Sequence, residues 1–155
     1  MGLIFKRWID LPVFVLANVT VDIEVLLYNH WPFHRYAHTL LIGAGVGIIW
    51  AIGAYFLRGW FRSFMNKMRL SYESNFKKVL LSAILGVWFH VLIDAFYHYD
   101  VNIFWPSRAK PLYRLISQQQ VSFFCLVFWA LAIALYLFIL YRNRKRDADD
   151  SQRPK

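Results

Sequence analysis

The sequence predicts an all-α integral membrane protein, a bundle of about four transmembrane helices. Three observations carry that expectation. The 155-residue chain is 59% hydrophobic and 19% aromatic, against roughly 45–50% apolar in a soluble domain. Its apolar residues come in blocks, two of which hold no charge at all. Its 18 Lys and Arg residues gather beside those blocks rather than within them.

The first expected helix is Leu11–Leu27, apolar apart from Asp22, Glu24 and a few weakly polar residues. Lys6 and Arg7 give it the basic start of a secretory leader, but its apolar core is interrupted early and no small-x-small cleavage site follows, so a retained helix is expected. The second starts near Pro32, a residue tolerated in a first helical turn, and includes the 19 uncharged residues Thr39–Leu57. The third is Val79–Tyr99, apolar except for His90, Asp94 and His98. The fourth is Val121–Tyr141, 21 residues without a charge. A helix of about 20 residues crosses a hydrocarbon core about 30 Å thick. No polar face recurs along the two uncharged runs, which sets them apart from surface helices. Residues 1–141 therefore read as one membrane domain, and 142–155 as a basic, solvated and disordered tail.

Orientation follows from the cations, which favour the cytoplasmic side of short loops. Arg58–Lys78 holds six, the tail after Tyr141 another six, and the N-terminus Lys6 and Arg7; Arg35, Arg108, Lys110 and Arg114 remain for the other face. This places the protein in the cytoplasmic (inner) membrane as a multi-pass chain with both termini cytoplasmic. The net charge of +9 is then a signal of topology and of anionic lipid as neighbour, and it does not indicate nucleic acid. Cys125 stands alone in an apolar run, so no disulfide framework exists.

All five histidines fall in two windows, "VDIEVLLYNHWPFHRYAHTL" at 21–40 and "FHVLIDAFYHYD" at 89–100. In the expected topology Asp22 and Glu24 lie near the outer end of the first helix, His34 and His38 in the first turns of the second, and His90, Asp94 and His98 in the last turns of the third. Three helices thus bring imidazoles and carboxylates to one depth near the non-cytoplasmic face. His34 and His38 are four residues apart, as are His90, Asp94 and His98, and residues so spaced share a helix face. Asp22 and Glu24 would point about 200° apart in a regular helix, so either the helix is irregular there or only one of them joins, Asp22 first. Charged groups at such depth are costly and normally have partners inside the bundle. Imidazole with carboxylate suits zinc, and also manganese or iron. Asp22, His34, His38, His90 and Asp94 are the expected ligands, with His98 and Glu24 as further ligands or as groups that orient the histidines. His30 reads as a loop histidine.

These residues resemble the YdjM-like, LexA-regulated family of membrane-bound metal-dependent hydrolases, on "VDIE", "HRYAHTL" and "FHVLIDAFYHYDVNIFWPSR", a resemblance spanning Thr20 to Ser107. It implies a metal site at Asp22, His34, His38, His90 and Asp94, and a hydrolytic activity. Metal-assisted hydrolysis would use Asp94 or Glu24 as general base. The depth of the site suggests a lipid or lipid-linked ester or phosphoester, its headgroup met by Arg35 and Arg108, with Lys110 and Arg114 on the same face. The segment "AKPLYRLISQQQ" is expected as a short interfacial helix near the opening. Two other readings use the same residues: a non-enzymatic metal- or haem-binding membrane protein, and an ion or proton pathway.

Overall fold

The computed structural model describes residues 8–27 and 36–151. Among them every regular element is helical and none is a strand. The helices are α1 (Leu11–Thr20), α2 (Ile23–Leu27), α3 (Leu40–Phe56), α4 (Arg58–Lys67), α5 (Phe76–Tyr97) and α6 (Gln118–Ser151). The chain divides into two compact units, Met1–Ile116 and Ser117–Lys155.

In the first unit α5 packs against both α1 and α3. Lipid tails are as apolar as leucine, so association between such helices depends on close fit rather than on escape from water. Small residues supply the fit. Gly43, Gly47, Ala51 and Ala54 form the buried side of α3, and a Cβ added at Gly47 would stand 3.0 Å from Ile84 Cα. At Gly86 of α5 a Cβ would come within 2.5 Å of Phe14 O and 2.7 Å of Ala17 Cβ, so α1 approaches α5 as closely as it does only because Gly86 has no side chain. Trp50 Nε1 donates to Val13 O at 3.2 Å, tying α3 to α1 as well.

The ends of the helices have local causes. Thr39 caps α3, its hydroxyl accepting from Ile42 N at 3.1 Å, and Asn75 caps α5 through Lys78 N at 2.9 Å. Side-chain oxygens at these positions satisfy donors that the helix itself leaves open. The second helix was expected from near Pro32; the Thr39 cap starts it later, and His38 stands in the turn just ahead of it. The loop after α5 folds back over that turn: Leu40 N donates to Ile103 O at 3.0 Å, and Val101 and Ile103 are buried.

Helices α5 and α6 are long and apolar enough to cross a membrane, and α3 with α4 makes a third candidate if that pair, bent by 70°, counts as one span. The first expected span is divided into α1, of 10 residues, and α2, of 5, about 15 Å and 8 Å long at 1.5 Å per residue. The expected interfacial helix after Ala109 is a series of turns up to Ser117; Arg114 adopts φ 65°, which a right-handed helix excludes. α6 continues through Arg142 to Ser151, into the expected disordered tail. Lys, Arg and Ala are good helix formers, and extending an existing helix avoids the cost of nucleation.

Candidate metal centre

The site is built from three places in the chain. The first is the junction of α1 and α2. After Thr20 the backbone tightens: Asp22 N donates to Val19 O and Glu24 N to Val21 O, both at 3.2 Å and both over three residues, before Leu26 N returns to Asp22 O at 3.2 Å. The local departure from α geometry answers the question raised by the two-residue spacing of the acids. Both reach His38, from opposite edges of its ring. Glu24 Oε2 lies 3.0 Å from Nδ1, and Asp22 Oδ1 lies 3.6 Å from Nε2.

The second place is the turn before α3. His38 is fully buried. On one side of it Ala37 N donates to both oxygens of Glu24 at 3.1 Å, and on the other the Thr39 hydroxyl donates to Tyr36 O at 2.9 Å. The third place is the last two turns of α5. His90 Nε2 and Asp94 Oδ2, one turn apart, lie 3.0 Å from each other. Tyr97, three residues on, donates its hydroxyl to Asp94 Oδ1 at 3.1 Å, which leaves Oδ2 turned to the histidines.

Asp22, His38, His90 and Asp94 each offer one ligand atom, and the four atoms lie within 4.8 Å of one another. His90 Nε2 is 3.0 Å from Asp22 Oδ1 and 3.0 Å from Asp94 Oδ2, while His38 Nε2 is 3.6 Å and 3.8 Å from the same two oxygens. A tetrahedral zinc site with bonds of about 2.0–2.1 Å has edges of roughly 3.3–3.4 Å, and the four separations straddle that value. His90 Nε2 is buried and forms no aligned hydrogen bond, although two carboxylate oxygens stand close to it; one N–H could satisfy only one of them. Four Lewis-basic atoms turned toward one point could hold a metal ion.

The enclosure is one-sided. The Asp22 side chain is 43% exposed and that of His90 19%, against 0% for His38. Solvent therefore reaches the group from the Asp22 side. No family model, curated protein or solved structure matches this chain.

The structure thus brings together Asp22, His38, His90 and Asp94, with Glu24 behind His38. His98 lies outside that group. It ends α5 in an extended conformation, its N–H on Asp94 O at 2.8 Å and its ring 4.3 Å from that of Tyr97. Arg108 is exposed in the loop after α5. His30, His34 and Arg35 lie outside the described residues. Tyr97 and the Ala37 amide were not foreseen from the sequence; the three-residue step from Asp94 to Tyr97 was the available signal for the first.

Proposed function

We propose that this protein is a membrane-embedded, metal-dependent hydrolase of the YdjM-like kind. In this reading four runs, α1–α2 included, cross the inner membrane, both termini are cytoplasmic and the centre lies near the outer face. The observation that carries the proposal is the convergence of Asp22, His38, His90 and Asp94 on one point with the Asp22 side open.

Each residue has a task that its contacts support. Asp22, His38, His90 and Asp94 hold the cation, zinc by the preference of two imidazoles and two carboxylates. Glu24 accepts from His38 Nδ1 and so fixes the tautomer in which the Nε2 lone pair faces the centre, a pairing that raises ligand basicity. Tyr97 orients Asp94 in the same way. When bound, the cation lowers the pKa of a water and polarises an ester or phosphoryl oxygen. The general base expected from the sequence was Asp94 or Glu24, but both Glu24 oxygens are engaged by Ala37 and His38, and Asp94 is buried. Asp22 is the exposed carboxylate: its Oδ1 would face the cation, and its other oxygen would take the proton of the attacking water. A substrate that arrives through the open side at membrane depth is a lipid or lipid-linked ester or phosphoester, and Arg35 and Arg108 are the sequence's candidates for an anionic headgroup.

The test is elemental analysis of the detergent-purified full chain, followed by assay against phospholipids and lipid-linked phosphates. One tightly bound divalent metal per chain and its parallel loss with hydrolysis on chelation are expected. Bound metal without hydrolysis of any lipid would leave a metal-binding protein and remove the enzyme.

A further inference from the structure

At the opposite end of α3 from His38 the chain turns by 70° into α4, "RGWFRSFMNK". At about 100° per residue its four apolar side chains fill one half of the helix. They divide into two pairs. Phe61 and Met65 are buried in the core with Val13, Ala54, Tyr72 and Val79. Trp60 and Phe64 are 63% and 48% exposed, and their rings stack on each other with centroids 5.8 Å apart. The other half carries Arg58, Ser63, Arg62, Asn66 and Lys67 without one acidic residue. Carried into the hydrocarbon core this helix is unfavourable, because each of its cations costs about 2.5–3.5 kcal/mol at the bilayer centre on insertion scales. As a water-facing helix it is unfavourable too, because it exposes two large rings side by side.

We infer that α4 is an interfacial helix that docks onto anionic phospholipid, Trp60 and Phe64 entering the acyl boundary while Arg58, Arg62 and Lys67 meet phosphate groups. Arg58 marks the level of the surface. Its guanidinium lies 4.3 Å over the Tyr55 ring and donates to Tyr55 O at 3.1 Å, which pins the bend between the apolar end of α3 and the cationic start of α4. Phe61 and Met65 anchor the helix to the bundle, so its lipid-facing pair has one orientation. An apolar strip flanked by cations is the pattern of helices that lie in the headgroup plane, and charge complementarity selects anionic lipid over a neutral surface. The inference is independent of the reaction at the His/Asp cluster.

The experiment uses the full chain in nanodiscs of phosphatidylcholine and phosphatidylglycerol, with Cys125, the free cysteine, replaced by serine. Spin labels are placed at Phe64→Cys and Ser63→Cys. The label at 64 should be relaxed by oxygen and shielded from a water-soluble nickel chelate, and the label at 63 the reverse. Nickel access at both positions would overturn the inference. So would dipolar broadening at 64 that disappears on dilution with unlabelled chain, which would make the occupant a second copy. In detergent–lipid mixtures, phosphatidylglycerol bound per chain should fall about fivefold for each cation removed in Arg58→Gln, Arg62→Gln and Lys67→Gln, with phosphatidylcholine little changed. Equal retention of phosphatidylglycerol in the triple variant would overturn it as well.

Discussion

Two buried carboxylates, one at each end of the first unit, have nearly the same exposure and opposite surroundings. Asp94, 4% exposed, faces His90 Nε2 at 3.0 Å and shares its centre with His38 and Asp22. Asp10, 1% exposed, accepts from the Tyr72 hydroxyl at 2.8 Å and the Ser74 hydroxyl at 2.7 Å on Oδ2, and its own N–H donates to Ser82 Oγ at 2.7 Å. At the Asp10 end two hydroxyl donors serve Oδ2, while Oδ1 is buried without a hydrogen-bond partner, so the chain compensates one of the two buried oxygens by itself. At the Asp94 end the Tyr97 hydroxyl serves Oδ1, while Oδ2 faces two imidazoles and a second carboxylate, a group that could hold a metal ion. Burial alone does not distinguish a metal ligand from a structural acid; the hydrogen-bonding capacity of what surrounds it does.

The sharpest way to break this contrast is His38→Ala. Removing a fully buried member of the four-atom group should take bound metal from about one per chain to near zero by elemental analysis, while the chain still inserts into membranes, since the apolar run of α3 is unchanged. Asp10→Ala is the mirror experiment. The buried Tyr72 hydroxyl and the half-buried Ser74 hydroxyl lose their acceptor at about 1–3 kcal/mol each, so thermal unfolding in detergent should show a loss of roughly 3 kcal/mol with the metal content intact. If Asp10→Ala emptied the centre, the two ends could not be treated as separate.

Glu24→Gln probes a subtler difference. Glutamine keeps the size and the acceptor for Ala37 N but removes the charge behind His38. Outer partners of metal-bound histidines typically affect affinity by about 10–100-fold, and a competition titration with a chelator should find a decrease in that range without a change in stoichiometry. An unchanged affinity would mean that Glu24 serves the backbone of the turn and not the ring.

The uncharged run Thr39–Leu57 became α3, Leu40–Phe56, and Val79–Tyr99 became α5, Phe76–Tyr97, because uninterrupted apolar runs admit few structures other than helices. The meeting of Asp22, His38, His90 and Asp94 was legible because polar residues in apolar runs are rare and a topology assigns each a depth. Local backbone events were not. The tightened turn that lets both Asp22 and Glu24 reach one ring leaves no mark that a regular-helix projection can find. The Arg58–Lys78 cations were read as a loop on the cytoplasmic side, and the amphipathic order inside them, which makes α4, was not separated from the charge. Asp10 went unnoticed because its partners, Tyr72, Ser74 and Ser82, lie 62 to 72 residues away, and no spacing rule reaches that far.

The smallest expected effect is also the one that separates the two ends by pH. Tyr72 is a donor to Asp10 only while it keeps its proton. Burial, with the Asp10 carboxylate beside it, pushes its phenol from 10.0 up to about 12. Between these values the folded chain retains a proton that the unfolded chain has released, so stability falls as pH rises from about 10 to about 12 and is unaffected by this group below that window. Tyr72→Phe should lower stability at neutral pH by about 1.5 kcal/mol, the lower end for a hydrogen bond to a charged group, because Ser74 still serves the same oxygen. It should also remove part of the alkaline decline, so that the stability curves of the two proteins converge as pH approaches 12. Tyr72 and Asp10 lie at the other end of the unit from the Asp22, His38, His90 and Asp94 centre, so the alkaline step should leave its metal content untouched. A wild-type curve that stayed parallel to that of Tyr72→Phe through this range would show that the hydroxyl does not hold the acid, and the distinction between a self-compensated carboxylate and a metal-compensated one would lose its structural half.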